Sequence, residues 1–242
     1  MAALSVLVDF DNVEPIHKSS GAVNLAKVVV SHLPKTLVAR HTSVSVRLYG
    51  GWRVEAIRTA FAQTLVPDIQ ANSPCPIPVT RLGQTSSLLM KVELADGPIG
   101  SRQVLEGTFV RGRSLRNFSS RNPWSACTSS GCGMKHFQSI NHSTPCTTPS
   151  CGIRLGDVLV RDEQKMVDTL IVADMAHQTF QGRATDIVLV SSDADLWPGV
   201  LLSLSAGCSV TQVHTKLGMQ TQSRLLNNLA GPMRNNYIQL SL

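Results

Sequence analysis

Aromatic residues are scarce in this chain, at 5% of its 242 residues. A folded core must therefore come mainly from Val, Leu, Ile and Ala, and the 43% hydrophobic content suffices for one domain with a small insertion. No apolar stretch approaches the ~20 residues that a membrane-spanning helix requires, so we expect no membrane partner. The first residues lack the basic segment and long apolar core of a signal peptide, which predicts a cytoplasmic protein without stable disulfides.

Acidic residues are also few, with 16 Asp and Glu against 22 Lys and Arg, and the net charge is +6. The pI is about 9.2. A basic surface favours an acidic partner, and nucleic acid is the commonest one for a soluble protein. Charge alone leaves open a basic protein with no such partner, so the partner has to be argued from motifs.

Short apolar segments alternate with helical patterns along most of the chain. We predict strands at 4–9, 44–49, 87–95, 186–190, 209–214 and 236–240, and shorter ones at 79–82, within a loop at 67–86, and at 108–110. We predict helices at 22–33, 53–66, 163–179, 195–206 and 221–230, with Asp162 capping the third. This alternation is typical of the α/β class, in which helices cover both faces of a mainly parallel central sheet.

The composition changes between residues 111 and 156. Ser, Thr, Asn, Gly and Pro dominate there, the apolar periodicity stops, and four of the six cysteines occur. The sequence therefore predicts one α/β domain, formed by residues 1–110 and 157–242, with an insertion at 111–156 that folds by other means.

Three short acidic clusters adjoin the predicted strands and helices. Asp9 and Asp11 end the first strand, Asp193 and Asp195 follow the strand at 186–190, and Asp168 lies near the start of a helix. Carboxylates at the carboxyl ends of parallel strands meet in one crevice, where they repel each other unless a cation lies between them. The pattern predicts a shared Mg²⁺ or Mn²⁺ site. Alternatively, each aspartate is only a cap or turn residue, as Asp195 is well placed to be.

Three ordered motifs resemble those of the NYN domains in the PIN-like nuclease superfamily. They are Val8-Asp9-Phe10-Asp11-Asn12, Lys165-Met166-Val167-Asp168 and Ser191-Ser192-Asp193-Ala194-Asp195-Leu196-Trp197-Pro198. In the family, the first strand ends in Asp-x-x-Asn, a helix carries Lys-Gly-Val-Asp, and a later strand ends in Ser-Gly-Asp-x-Asp-Phe-x-Pro. The order matches along the chain outside the cysteine-rich segment.

The resemblance implies a three-layer, PIN-like (Rossmann-like) domain and a Mg²⁺- or Mn²⁺-dependent endoribonuclease. It assigns metal binding to Asp9, Asp168 and Asp193, and makes Asp195 a further carboxylate of the active site. Asn12 would orient Asp9 or contact a phosphate. The substrate would be single-stranded or structured RNA, and the resemblance leaves protein partners and a homo-oligomer open.

Two residues depart from the family pattern, since Met166 and Ser192 stand where the family has glycines. The backbone of the site can therefore differ, although every carboxylate is kept. Two alternatives to a ribonuclease are a non-catalytic RNA-binding module on the same fold and a structure-specific DNA nuclease. A nucleotide-binding α/β protein fits poorly, because no glycine-rich phosphate loop follows the first strand.

The insertion carries two repeated Cys-x4-Cys pairs, Cys127/Cys132 and Cys146/Cys151. Each resembles a tight turn that offers two thiolates, and two such turns supply a tetrahedral structural Zn²⁺ site. So polar a segment needs metal binding to fold. Replacement of one cysteine by a nearby histidine, disulfides and free thiols are the alternatives.

Several basic side chains are candidates for phosphate contacts. Those of the insertion are interleaved with aromatics, which stack on unpaired bases, or else they form a solvated basic loop. These candidate RNA-binding residues are Arg111, Arg113, Arg116, Arg121 and, at the start of the second motif, Lys165. Asp174 shares the apolar stripe of its helix, which predicts a hydrogen-bonded structural carboxylate. The alternative is a carboxylate that supports the metal ligands from behind.

Overall fold

The computed structural model of the protein describes residues 3–81, 84–115, 118, 140–182, 184–216 and 218–242. The chain divides into two compact units. One consists of Met1–Thr108 and Gln164–Leu242, and the other, Phe109–Glu163, interrupts it. The inserted unit starts before residue 111 and ends after residue 156 because two strands near its ends pair with each other.

A seven-stranded sheet forms the centre of the larger unit. Across the sheet the strands are β11 (Tyr237–Ser241), β10 (Ser209–His214), β9 (Asp186–Val190), β1 (Leu4–Asp9), β2 (Ser43–Tyr49), β6 (Gln84–Leu94) and β5 (Cys75–Arg81). Neighbouring strands are parallel except β5 and β6, which form an antiparallel hairpin. The prediction of an α/β fold with a mainly parallel sheet is confirmed.

Helices and short strands connect the strands of this sheet. In the larger unit they are α1 (Pro15–Lys18), α2 (Ala22–His32), α3 (Lys35–Val38), β3 (Arg53–Val54), β4 (Ile57–Arg58), α4 (Ala60–Asn72), α6 (Val167–Phe180), a one-turn 3-10 helix (Ala194–Leu196), α7 (Trp197–Ser205), α8 (Ser223–Asn227) and α9 (Gly231–Asn235). The inserted unit contains β7 (Phe109–Ser114), α5 (Leu155–Val158) and β8 (Val160–Gln164), and β7 pairs with β8. None of the helices in the described ranges combines the length and apolar character that crossing a bilayer requires.

Helices cover both faces of the sheet. Val6 and Val8 of the central strand β1 belong to a buried cluster with α2, α3 and α4, whereas Leu7 packs in a second cluster with α6 and α7. All six residues of β1 are buried, because strands flank it on both sides and helices cover both faces. This explains why its sequence is a continuous apolar run rather than an alternating one.

Three sequence-based predictions of secondary structure are wrong. The predicted loop at 67–86 is instead the end of α4 followed by the hairpin of β5 and β6, which begins at Cys75. Residues 53–66 form the β3–β4 hairpin and only the first part of α4. This helix begins at Ala60, where the Thr59 hydroxyl caps it by accepting the Ala62 N–H (3.2 Å), and it continues to Asn72. Asp162 does not cap α6, because it lies in strand β8, and α6 begins only at Val167. Val54 and Ile57, which fit the helical spacing of residues 53–66, belong to the β3–β4 hairpin.

Candidate functional site

The parallel pairing of β1 with β9 brings two of the acidic segments to the same edge of the sheet. Asp9 ends β1, and Asp193 follows the last residue of β9 by three positions. Asp168 lies in the first turn of α6, where the negative charges of Asp193 and Asp195 repel its carboxylate. The charge of Asp168 in turn repels the carboxylate of Asp9. Asp168 therefore lies within electrostatic range of both Asp9 and Asp193.

We call the group formed by Asp9, Asp168, Asp193 and Asp195 the acidic crevice. Asp9 is its buried member, with 4% of its surface exposed. Its carboxylate accepts the Ser191 hydroxyl (2.7 Å) and the Asn12 N–H (3.3 Å). Burial raises the pKa of Asp9 from 3.8 to about 6, the Ser191 hydrogen bond opposes this rise, and the Asp168 charge adds to it. Asp9 is thus held in one position at the cost of an unfavourable charge.

Asp168 and Asp193 lie nearer to solvent. Burial, followed by repulsion from Asp193 and Asp195, raises the pKa of Asp168. Asp193 begins the one-turn 3-10 helix by accepting the Asp195 N–H (2.9 Å), and its own N–H donates to the Ser191 hydroxyl (3.0 Å). Ser191 therefore connects Asp9 to Asp193. The capping residue of this turn is Asp193 and not Asp195, which contributes only its backbone N–H, so the alternative interpretation of Asp195 as a cap is wrong.

Met166, which replaces the family's glycine, adopts a left-handed backbone conformation directly before α6 (φ 63°). Such a conformation favours glycine and is strained for a residue with a Cβ. The departure in sequence therefore leaves the backbone conformation suited to glycine in place. Neighbouring Lys165 is half-buried, and its N–H donates to the Thr108 carbonyl (2.9 Å).

Asp11 faces the loop after β2 rather than the other carboxylates. Its Oδ2 accepts the Gly51 N–H (2.8 Å), and the Gln164 side chain also donates to it. A Cβ at Gly50 would lie 2.8 Å from that same oxygen, so the loop approaches Asp11 closely only because residue 50 is glycine. Burial raises the pKa of Asp11. We conclude that Asp11 anchors this loop.

Lys18 is a residue of the crevice that sequence reasoning missed. Its ammonium donates to the Asp11 carbonyl (3.1 Å) and lies 5.1 Å from the centre of the Phe10 ring. Burial lowers the pKa of Lys18, and the charges of Asp11 and Asp9 oppose this effect. The sequence signal for Lys18 was Pro15, because proline favours the first position of a helix. The helix α1 that begins there ends at Lys18, whose ammonium contacts Asp11.

Asp174 is structural, as its place on the apolar stripe predicts. It is 0% exposed and accepts hydrogen bonds from the Tyr49 hydroxyl (2.7 Å) and the Ile99 N–H (2.7 Å). Arg47 lies 3.4 Å from the same carboxylate. These contacts consume the oxygens of Asp174, so it is a tie between α6, β2 and the loop after β6.

The donor set at the crevice fits a solvent-completed cation site better than an all-protein cage. Within the described ranges, no group of three or more His, Cys, Asp or Glu side chains is close enough to hold a metal ion. Mg²⁺ characteristically takes one or two carboxylates and completes its octahedron with waters and substrate phosphate. The repulsion of Asp168 by Asp193 and Asp195, and of Asp9 by Asp168, is the feature that such a cation would relieve.

In the inserted unit, Cys146 and Cys151 lie in a tight turn and are not joined by a disulfide. The Thr148 N–H donates to the Cys146 sulfur (3.5 Å), and the Cys151 N–H donates to the Thr148 carbonyl (3.1 Å). Hydrogen bonds from Thr148 and Cys151 lower the pKa of the exposed Cys146 thiol. Cys127 and Cys132 lie outside the described residues, so the structure describes one of the two predicted thiolate pairs.

Among the predicted RNA-binding arginines, Arg111 is exposed and Arg113 forms an ion pair with Glu163 (2.6 Å). Glu163 also pairs with Arg161 (3.1 Å), which the sequence did not single out. Arg116 and Arg121 lie outside the described residues. The ribbon of β7 and β8 thus carries three arginines, two of which pair with Glu163.

Asn12 does not orient Asp9 through its side chain. Its backbone N–H reaches Asp9, while its side-chain oxygen accepts the Thr215 hydroxyl (2.9 Å). Thr215 directly follows β10, and sequence reasoning gave it no role because one threonine after a strand carries no signal of its own.

No model of a known protein family matches the chain, and no curated protein or solved structure is significantly similar to it.

Proposed function

We propose that this protein is a metal-dependent endoribonuclease with a PIN-like, NYN-type domain. The observation that supports this most directly is the acidic crevice, where Asp9, Asp168, Asp193 and Asp195 come from three separate segments of the chain. The buried Asp9 is held by Ser191 although burial disfavours its charge. An arrangement that is unfavourable for stability and needs a counter-charge is characteristic of a functional site.

In this proposal Asp9, Asp168 and Asp193 would hold Mg²⁺ or Mn²⁺, one or two of them directly and the rest through water, since the three side chains are not close enough to bind the ion together. Asp195 would add negative charge at the rim. The bound ion supplies an activated water and neutralises charge on the phosphate oxygens. Lys18 lies close enough to Asp9 and Asp11 to interact with their charges, and its side chain is only partly buried. Asn12 would donate its side-chain N–H groups to a substrate phosphate.

RNA is the proposed partner because a net charge of +6 favours a polyanion. Exposed arginines of the inserted unit, such as Arg111 and Arg161, would contact phosphates, and Arg116 and Arg121 are proposed with them from the sequence. These contacts carry no base information, so they predict affinity that falls steeply with salt rather than sequence preference.

We expect the purified protein to cleave labelled single-stranded RNA with Mg²⁺ or Mn²⁺ and to stop when EDTA is added. Asp193→Asn should slow cleavage by more than ~100-fold, which exceeds the usual cost of losing an outer ligand contact. Glu106→Gln is the matched control, because Glu106 is an exposed acid in the larger unit and should leave the rate unchanged. The rate is measured by gel electrophoresis under single-turnover conditions.

Three outcomes of this assay contradict the proposal. RNA binding without metal-dependent cleavage would identify a non-catalytic RNA-binding module. Cleavage of matched single-stranded or branched DNA in preference to RNA would identify a DNA nuclease. Cleavage that survives in Asp193→Asn would place the chemistry elsewhere.

We also propose that Cys127, Cys132, Cys146 and Cys151 hold one structural Zn²⁺. The hydrogen bond from the Thr148 N–H to the Cys146 sulfur supports this ligand set, because it stabilises a thiolate in the tight turn. Elemental analysis should find one zinc per chain in the wild type and far less in Cys146→Ser/Cys151→Ser. Cys75→Ser, in the larger unit, should retain it. A full zinc content in the double variant would refute this ligand set.

A further inference from the structure

We propose that Thr215 is a positioning residue for the nuclease site, which acts by holding the side-chain amide of Asn12 in the orientation that presents its N–H groups to a substrate phosphate. Ser192 is the second member of this device. The inference rests on the proposed function, and it assigns a role to residues outside the carboxylate set.

The topology of the sheet explains how Thr215 reaches the site. Strand β10 lies beside β9, which lies beside β1, so the residue after β10 must cross the end of β9 to contact Asn12. Thr215 is 2% exposed, and its hydroxyl makes this contact at 2.9 Å. One buried side chain thus links the ends of three neighbouring strands.

The direction of the hydrogen bonds follows from the number of protons. A carbonyl oxygen only accepts, so the single hydroxyl proton of Thr215 goes to Asn12 Oδ1. The Ser192 hydroxyl, 3.2 Å from the Thr215 oxygen, must then be the donor in that pair. Ser192 in turn accepts the Thr215 N–H (2.9 Å). The chain Ser192 to Thr215 to Asn12 therefore runs in one direction.

This series of hydrogen bonds determines which end of the Asn12 amide is left for a ligand. Because Oδ1 is occupied by Thr215, the amide N–H groups of Asn12 remain for a ligand. A rotated amide would present its oxygen instead, and a carbonyl oxygen repels phosphate oxygens. The backbone N–H of Asn12 already donates to Asp9 (3.3 Å), so the residue is anchored next to the carboxylate that the proposed reaction uses.

The same series of hydrogen bonds explains a departure from the family pattern. Ser192 stands where the NYN motif has glycine, and glycine would offer neither the acceptor for the Thr215 N–H nor the donor to its hydroxyl. The serine hydroxyl has both partners in the structure. The pairing of Ser192 with Thr215 is therefore a feature of this protein rather than of the shared motif.

A double-mutant cycle between Thr215 and Asn12 tests the inference, with kcat and KM for single-stranded RNA as the readout. Thr215→Val keeps the side-chain shape and removes the hydroxyl, and it should lower kcat/KM by about 10-fold, as loss of an outer hydrogen-bonding partner typically does. Thr215→Ser, which keeps the hydroxyl, should restore most of this loss. Asn12→Ala should have the larger effect, and adding Thr215→Val to it should change kcat/KM by less than about 2-fold.

The outcomes separate this inference from the proposed function. If Thr215→Val costs the same factor in the Asn12→Ala background as in the wild type, Thr215 does not act through Asn12 and the inference is overturned. Equal losses in Thr215→Ser and Thr215→Val also overturn it, because they show a packing role. If the wild type binds RNA without cutting it, the nuclease proposal fails, and the same cycle in the dissociation constant for RNA decides the role of Thr215. If it neither cuts nor binds RNA, both fail.

Discussion

Asp9→Asn is expected to make the metal-free protein more stable at pH 7 and, at the same time, to slow RNA cleavage by more than ~100-fold. Both effects have one cause, which is the buried charge of Asp9. The folded protein must ionise a carboxyl whose pKa is about 6, whereas its ordinary value is 3.8. That difference corresponds to about 3 kcal/mol of lost stability at neutral pH. Asparagine avoids this cost, but it provides one oxygen for two donors, so we expect a net gain of about 1–2 kcal/mol.

The pH dependence of this gain has a definite sign. Below pH 3.8 the carboxyl is protonated in both the folded and the unfolded chain, so its raised pKa contributes nothing to the stability difference there. Between pH 3.8 and about 6 the unfolded chain has released the proton and the folded chain has kept it, so wild-type stability falls as pH rises. Above about pH 6 both are ionised and the full difference remains.

Urea denaturation of wild type and Asp9→Asn across this pH range measures the effect. Millimolar Mg²⁺ should raise the stability of the wild type and have much less influence on the variant, since a ligand stabilises only the state that binds it. A variant that is less stable than the wild type at pH 7 without metal would show that the Asp9 carboxylate is not under strain. Full cleavage activity in the variant would remove Asp9 from the site.

Asp174→Ala is expected to lower the free energy of unfolding by about 3–5 kcal/mol. The change removes the acceptor of two hydrogen bonds, from the Tyr49 hydroxyl and the Ile99 N–H, and the carboxylate beside Arg47. Arg47 keeps Glu93 (3.0 Å) and the Gly97 carbonyl (2.6 Å), so we expect a value at the lower end. The hydroxyl of the buried Tyr49 would be left without this partner.

Asp168→Ala provides the matched control, because it removes a carboxylate from the same helix. Asp168 is exposed in the first turn of α6, so its loss should change stability by less than about 1 kcal/mol while abolishing the proposed metal site. Urea denaturation at pH 7 compares the two variants. Similar losses of stability in both would contradict the structural role of Asp174 and the exposed, functional role of Asp168.

Much of the fold was predictable from local patterns. The strands at β1, β2, β9 and β10 are short apolar segments with polar ends, and α2 has apolar residues at helical spacing, so local sequence was sufficient. The hairpin of β3 and β4 was not predictable, because Val54 and Ile57 fit a helical spacing with later residues. Only the capping Thr59 and the left-handed Glu55 (φ 50°) reveal that the chain turns there.

The sequence by itself determined that this is an α/β protein with a mainly parallel sheet, and it singled out the aspartates at the ends of its strands. These conclusions follow from residue types and spacing, which act locally. Only the tertiary structure decided that Asp9 is the buried carboxylate, that Asp11 anchors a loop, and that Lys18 and Thr215 adjoin the site. Burial and hydrogen-bond partners depend on segments far apart in the chain, such as Asn12 and Thr215, and strand order alone brings these together.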